Sequence, residues 1–461
     1  LALYEAEAAT YPAAPRSAGE ETAYARRVND ALRADRDLLG EQLLARGGAT
    51  YDGLKDLLHP LFFSTGDTYQ QQGVHNVLFA DNGGQPPYLV PLADGSRLAA
   101  PTYASAHRLE FFVGRHGCEA YGSELARLEG PRLKAAYYPV LQTAYTDRDG
   151  HRWTQESFAA HVPGVPGLVA LVRLQLAPQP PAGPRPSLWV RLGDGQRGAL
   201  RTSGTPRWQR TGKAYLFTDL TDPVYLLWSP QGDLPATTVV NASVYQTAQQ
   251  ACLTYWDKAL AQGCVFEVPE PLVMACQRNL LIQNLMMRWR YTLGPVVYHG
   301  DFYLPESSDA VDTLGLYGYL DAFRDGLTEL LPKTKGKGAY TNWEYGEKLS
   351  HAARYFFLSR DAEFINRHTA AYRRMCQEFA DQMARDPHGL LEKQVHCGDI
   401  PEVAYCPFHL MVCWRGMRDM AQVWALTGHR AESELAQSTA ARLKAAIQKA
   451  LDQSTTWLPD G

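Results

Sequence analysis

Between residue 67 and about residue 240, apolar and polar side chains alternate in short runs separated by Gly, Pro, Asn and Asp. The clearest runs are "RLEFFVG", "AYYPVLQTAYTDRDGHRWTQESFAAHV", "LVALVRLQL", "LWVRLG", "AYLFTDL" and "PVYLLWS". A period of two turns one face of each run inward, and their aromatic and β-branched residues suit a pleated surface. "DRDG" supplies hairpin turn chemistry, and many strands without intervening helices predict an antiparallel sandwich. The proline cluster at 177 to 186 is too Pro-rich for a central strand and predicts an exposed loop. Upstream, residues 20 to 46 read as an amphipathic helix.

From about residue 243 the period becomes helical and stays so. "SVYQTAQQACLTYWDKALAQG" predicts a linker helix, and "EPLVMACQRNLLIQNLMMRWRY" follows with Leu280, Ile282, Leu285, Met286 and Trp289 as its apolar stripe. Five more helices are expected: "SSDAVDTLGLYGYLDAFRDGL", "NWEYGEKLSHAARYFFLS", "DAEFINRHTAAYRRMCQEFADQMA", "AYCPFHLMVCWRGMRDMAQVWALTG" and "HRAESELAQSTAARLKAAIQKALD". Short breaks, with Asp361 as an N-cap and Gly428 as a C-cap, make these three antiparallel hairpins over residues 270 to 453. The expected division is a helical segment at 1–60, a β-supersandwich at 61–242, the linker helix at 243–269 and the hairpins at 270–461.

Composition changes this picture only at its edges. A chain of 461 residues, 45% hydrophobic, is long enough to bury two cores. Its 45 Lys and Arg against 49 Asp and Glu leave no basic field for nucleic acid or an anionic membrane, which points to a neutral or weakly charged partner. No run of 18 apolar residues is present, and "LALYEAEAAT" lacks the basic start and apolar core of a secretory signal. A soluble protein is expected, its compartment open between cytoplasm and export. The eight cysteines include no CxxC pair and read mostly as small core residues. Without an HExxH, a Gly-rich phosphate loop or a nucleophile elbow, no metal and no cofactor is expected.

Candidate chemistry concentrates in three stretches between helices, each with carboxylates beside aromatics. They hold Asp301, Glu306 and Asp309 in "HGDFYLPESSD", Trp343 and Glu344 in "YTNWEYGEK", and Asp399 and Glu402 in "CGDIPE". Aromatic faces beside carboxylates suit a pyranose ring, apolar on its faces and hydroxylated at its edge. Each stretch also has a plainer reading. "ESSD" is a good capping sequence with Ser307 or Ser308 as N-cap, Asp399 or Glu402 at a helix start is favoured by the dipole, and a Trp at a helix start is commonly core.

The order of elements, with "HRWTQESFAAHVPGVPGLVALVRLQL", "YHGDFYLPESSDAVDTLGLYGYLDAF" and "HCGDIPEVAYCPFHLMVCWRGMRDM", resembles the six-hairpin glycosidase superfamily, near glucoamylase-like and maltose phosphorylase-like enzymes. The resemblance implies an antiparallel β-supersandwich, a linker helix and the first half of an (α/α)6 toroid, about six of twelve helices. It implies a glycoside hydrolase using acid/base chemistry, with Asp399 as proton donor and Glu402 in reserve, both placed some dozen residues before Trp414. Glu306 and Asp309 would accept hydrogen bonds from sugar hydroxyls, with His299 and Asp301 at the rim. Trp343 would stack on the ring, Glu344 would be a second sugar ligand, Trp414 would join them in binding substrate, and Arg415 and Arg418 would orient a carboxylate or pair with Asp419. The catalytic base belongs to the later hairpins, so the expected partners are a carbohydrate and a second polypeptide or C-terminal half that completes the toroid, with a homo-oligomer also open. The alternatives are a polysaccharide lyase, against which the sandwich-first order counts, and a non-catalytic carbohydrate-binding or assembly subunit.

Overall fold

The computed structural model describes residues 33–34, 36–45, 47–48, 50, 90–91, 95–99, 107–115, 117, 119–178, 185–193, 197–209, 213–290, 302, 306–334, 340–396 and 402–456. Much of the predicted N-terminal helix, the proline cluster's centre, and His299, Asp301 and Asp399 lie outside them. Two compact units are present: Leu1–Ala261 with Phe266–Met286 and Thr292–His299, and Gln262–Val265 with Met287–Tyr291 and Gly300–Gly461.

In the first unit a short helix α1 (Leu38–Ala45) precedes two antiparallel sheets. One contains β1 (Val90–Pro91), β2 (Arg97–Ala99), β3 (Arg108–Val113), β9 (Leu188–Leu192), β12 (Ala214–Phe217) and β11 (Arg207–Gln209) in that order, with β4 (Glu119–Ala120) also on β3. The other runs β10 (Leu200–Thr202), β13 (Val224–Trp228), β8 (Leu168–Leu176), β7 (Arg152–His161), β6 (Val140–Thr146), β5 (Leu128–Leu133). Alternation does what it predicts: Trp153, Gln155 and Ser157 turn inward along β7 while Arg152 stays exposed. The "DRDG" turn joins β6 to β7, with Gly150 at φ 85° donating to the Asp147 carbonyl over 3.0 Å. The Asp147 carboxylate caps the turn, accepting from the His151 amide at 2.8 Å and the Trp153 indole at 2.9 Å.

The linker helix α2 (Ala242–Leu260) is capped by Asn241, whose side chain accepts from the Val244 amide. Its inner face of Tyr245, Ala248, Cys252 and Trp256 recurs at helical spacing and is buried. Glu156, from the "QESF" strand, ties this helix down: its carboxylate accepts from Tyr245 Oη at 3.0 Å, Gln249 Nε2 at 2.8 Å and Gln142 Nε2 at 2.6 Å. Helix α3 (Pro271–Met287) buries Ala275, Leu281, Ile282 and Met286. Leu280, expected in that stripe, is instead 62% exposed, because Leu281 holds the position one turn before Leu285 and Met286 on the inner face.

The second unit holds α4 (Glu306–Leu316), α5 (Leu320–Leu330), α6 (Thr341–Ser359), α7 (Ala362–Arg385), a two-stranded hairpin β14 (Gln394–Val395) and β15 (Val403–Ala404), then α8 (Pro407–Thr427) and α9 (Arg430–Ser454). Both predicted caps are present: Asp361 accepts from the Phe364 amide at 2.9 Å, and Gly428 ends α8 at φ 85°. The stretch expected as one helix is two, α4 and α5, broken at Gly318 with φ 86°. The described residues from α3 onward thus form seven helices where six were expected. Phe323, Tyr355, Phe364, Tyr372, Phe379, Met417 and Trp424 fill the shared core. α6 and α8 lie in backbone contact, because a Cβ at Gly346 would sit 2.8 Å from the Cys413 amide nitrogen and one at Gly416 would sit 2.3 Å from the Gly346 carbonyl oxygen. Cys252, Cys376, Cys406 and Cys413 are buried, as core residues should be, while Cys264 and Cys276 are exposed. No described helix is long and apolar enough to cross a membrane.

Candidate functional site

The second unit contains a cavity of about 210 Å³ between α4, α6 and α8. Helix α6 supplies its longest wall, placing Trp343, Glu347, His351 and Arg354 on one face at helical spacing. Asp309 and Asp312 enter from α4, and Phe408, Val412 and Arg415 from α8. The cavity is therefore an acidic patch with an aromatic side, crossed by two guanidinium groups.

Glu347 is its centre. The residue is 6% exposed, its Oε1 accepts from Trp343 Nε1 at 2.6 Å, and its other oxygen accepts from Ser308 Oγ on α4. Burial pushes its pKa up to about 8; the two hydrogen bonds oppose this, and the charges of Asp309 and Glu306 add to it. The carboxyl is thus largely protonated at pH 7. Asp312 forms an ion pair with Arg354, while its Oδ1 is buried without a hydrogen-bond partner. Burial lifts Asp312 above the ordinary aspartate range against the pull of Arg354, and partial dehydration does the same to Asp309 at the rim. His351 is driven down to about 3 by burial and the nearby Arg354 and Arg415, so its ring is neutral, with Nδ1 lacking a partner. Trp343 closes the aromatic side, with the Phe408 ring edge-on at 5.2 Å and 90° and the His409 ring stacked at 4.8 Å and 25°.

Of the residues singled out from sequence, Asp309, Trp343 and Arg415 line this cavity. Ser307 and Ser308 lie inside the first turn of α4 rather than ahead of it, and Ser308 spends its hydroxyl on Glu347 instead of a cap. Glu306 opens α4, and Glu344 is fully buried on a different face of α6; neither is a lining residue. Trp414 faces cations instead, with Arg418 at 5.0 Å and Lys444 at 5.6 Å from its ring. Arg415 and Arg418 both pair with Asp419, the plainer of the two roles expected for them. Glu402 is exposed just before β15, its carbonyl accepting from the His396 amide at 3.2 Å. It does not cap α8, whose N-cap is Cys406. Sequence reading missed Glu347, Asp312, His351 and Arg354. The signal was the polar stripe W-x3-E-x3-H-x2-R along a helix otherwise rich in apolar residues.

Two clusters among the described residues have metal-ligand composition, Asp147 with Asp149 and His151, and His396 with Cys406 and His409. The first is accounted for by the β6–β7 turn, where Asp147 accepts from the amides of Asp149 and His151 and from the Trp153 indole.

No family model and no curated protein matches the sequence. Among solved structures, a bacterial glucoamylase complexed with acarbose is similar at a TM-score of 0.55 and 11% identity, over 81% of this chain and 67% of that one. A glycosyl hydrolase of the GH92 family, ccman5, aligns at 9% identity over 77% of this chain and 47% of that one, with a TM-score of 0.23 that carries no argument. The likeness to the glucoamylase is one of fold: an antiparallel β-sandwich followed by helical hairpins.

Proposed function

We propose that this chain belongs to a glycoside hydrolase that cleaves a glycosidic bond of an oligosaccharide or glycoside by acid/base catalysis with inversion. The observation that carries the reading is Glu347, a carboxyl buried in a cavity walled by Trp343, whose burial pushes its pKa up to about 8. Glycoside cleavage needs a proton on the departing oxygen, and a carboxyl raised toward neutral pH by its surroundings supplies one. Trp343 offers an apolar face to a sugar ring, and Asp309 and Arg415 offer partners for its hydroxyls. A volume of about 210 Å³ falls below the ~300–1,000 Å³ of drug-sized ligand sites, so one sugar ring is the occupant of this part of the site.

Asp399, with Glu402 in reserve, is the competing proton donor; it belongs to the segment joining β14 to β15. Either donor needs a second carboxylate some 6.5–9.5 Å away to activate water from the opposite face of the sugar. We propose that this base is supplied by a second polypeptide or by another part of a completed toroid. The chain on its own then binds sugar without cleaving it.

The decisive experiment compares Glu347→Gln and Asp399→Asn in the completed protein, using aryl glycosides with good and poor leaving groups. The true donor's variant loses rate on poor leaving groups by about 10²-fold or more and keeps it on good ones. Unchanged rates in both variants, or loss of binding to the chain alone in Glu347→Gln but not in Trp343→Ala, would remove the reading.

A further inference from the structure

A second set of donors gathers where the β14–β15 hairpin meets the start of α8. His396 follows β14, Cys406 is the N-cap of α8, and His409 stands three residues further on. One donor atom from each of the three lies within 4.8 Å of the others. His409 is 3% exposed and its Nε2 has no hydrogen-bond partner. The ring is fixed on both sides, by Trp343 at 4.8 Å and by the nearly parallel ring of His396 at 5.8 Å and 14°. A hydrogen bond to the His396 backbone also holds the His409 ring. That bond engages the ring at Nδ1, since Nε2 is the atom without a partner. An imidazole nitrogen without a partner is thus held in the protein interior, as in a histidine set to ligate a metal. A buried nitrogen left in that state costs about 1–3 kcal/mol, and nothing in the sugar site uses it.

We propose that His396, Cys406 and His409 bind one zinc-type divalent cation that clamps the β14–β15 hairpin onto the start of α8. Two imidazoles and a thiol are the donors that borderline-soft cations take, whereas Ca²⁺ and Mg²⁺ require oxygen ligands that this trio lacks. Binding exchanges the Cys406 S–H bond for an S–metal bond and releases one proton to solvent, and both histidines ligate as neutral rings. Zn–N and Zn–S bonds of about 2.0–2.3 Å in a tetrahedral site put donors about 3.3–3.8 Å apart, and the three donor atoms here already lie within 4.8 Å of one another. On binding, the Cys406 thiol would give up its contacts with the Gln394 and Ala404 carbonyls, and water would complete the coordination. The clamp has a purpose in the fold. β14 and β15 pair at only two positions, Gln394 with Ala404 and Val395 with Val403, and so short a hairpin has little stability of its own. The same cation fixes His409, and through its stacked ring Trp343, on the wall of the carboxyl cavity.

The test does not involve sugar cleavage, so its failure and that of the glycosidase reading are separable. The purified chain is assayed for bound metal by mass spectrometry, stripped with a chelator and titrated with Zn²⁺, then with Co²⁺ while the thiolate-to-cobalt absorption is followed. About one equivalent of Zn²⁺ per chain, release of a proton on binding and a cobalt–thiolate band are expected. Cys406→Ser should abolish the band. His409→Gln should weaken Zn²⁺ by more than about 100-fold, since even outer-shell partners of a metal contribute 10–100-fold. Wild-type chain taking up less than about a tenth of an equivalent, or developing no cobalt–thiolate band, overturns the proposal. Should either variant fail to fold, stoichiometry, proton release and the band in the wild type decide the matter alone.

Discussion

Glu347 has an ordinary pKa of 4.5 in the unfolded chain and about 8 in the folded one, and His351 moves from 6.5 to about 3. The two shifts act on stability with opposite signs. A raised carboxyl leaves its full contribution in place below pH 4.5 and loses it as pH climbs through about 8; a depressed histidine contributes fully above pH 6.5 and loses its share as pH falls toward 3. Between pH 4.5 and 6.5 they offset one another, so the window that isolates Glu347 runs from 6.5 to 8. Across it the wild-type chain should lose stability on the order of 1–2 kcal/mol, while Glu347→Gln should stay nearly flat and be the more stable protein at pH 8. Urea unfolding of both at several pH values measures this, and parallel slopes would show that Glu347 does not hold its proton. The residue also explains what sequence reading overlooked. Attention to the loops between helices found Asp309 at the start of α4 and Trp343 at the start of α6. Glu347 lies one turn inside α6, where a charged residue reads as solvated surface until the partner that buries it, Ser308 on another helix, is known.

The cavity exists because two helices can touch. Gly346 on α6 and Gly416 on α8 bring the backbones together, and a methyl group at Gly346 would meet main-chain atoms of Val412 and Cys413 that cannot rotate away. Gly346→Ala should therefore cost about 1–3 kcal/mol in chemical denaturation, despite alanine's better helix propensity. It should also weaken sugar binding, because Glu347 and Val412 adjoin the crossing. A neutral or stabilising effect would mean that α6 and α8 do not cross at this point. Helix positions themselves were readable where local chemistry decides them, as with the Asp361 cap and the Gly428 stop. The break between α4 and α5 was not readable. Gly318 turns there while the Tyr317 carbonyl accepts a 2.7 Å hydrogen bond from the Cys264 amide, a contact more than fifty residues away along the chain. A periodicity scan sees continuous apolar spacing through "LGLYGYLDAF" and has no access to that bond.

Across the molecule, alternation was enough to reveal the sandwich, since a one-residue slip in any strand would turn its apolar face to water. The function of the "QESF" strand was harder to read. Glu156 stands in the strand that carries the family resemblance, yet the described structure employs it to hold α2. Burial alone would raise its pKa, but Gln249, Gln142 and Lys134 outweigh this and keep the carboxylate ionised below the ordinary glutamate range. Glu156→Ala should lower the stability of the whole chain by about 2–3 kcal/mol, with the loss present at pH 7 and shrinking as acid protonates the wild-type carboxylate. A variant as stable as wild type at pH 7 would assign Glu156 to something other than holding the helix.

That tether also fixes where the sandwich can be cut free. A version ended at residue 241 would strip Tyr245 and Gln249 from an anion that the strand still carries, and take the Tyr245 ring away from Phe158. Recombinant work on the β-region should carry the chain through Leu260, treating the so-called linker as that region's own outer layer.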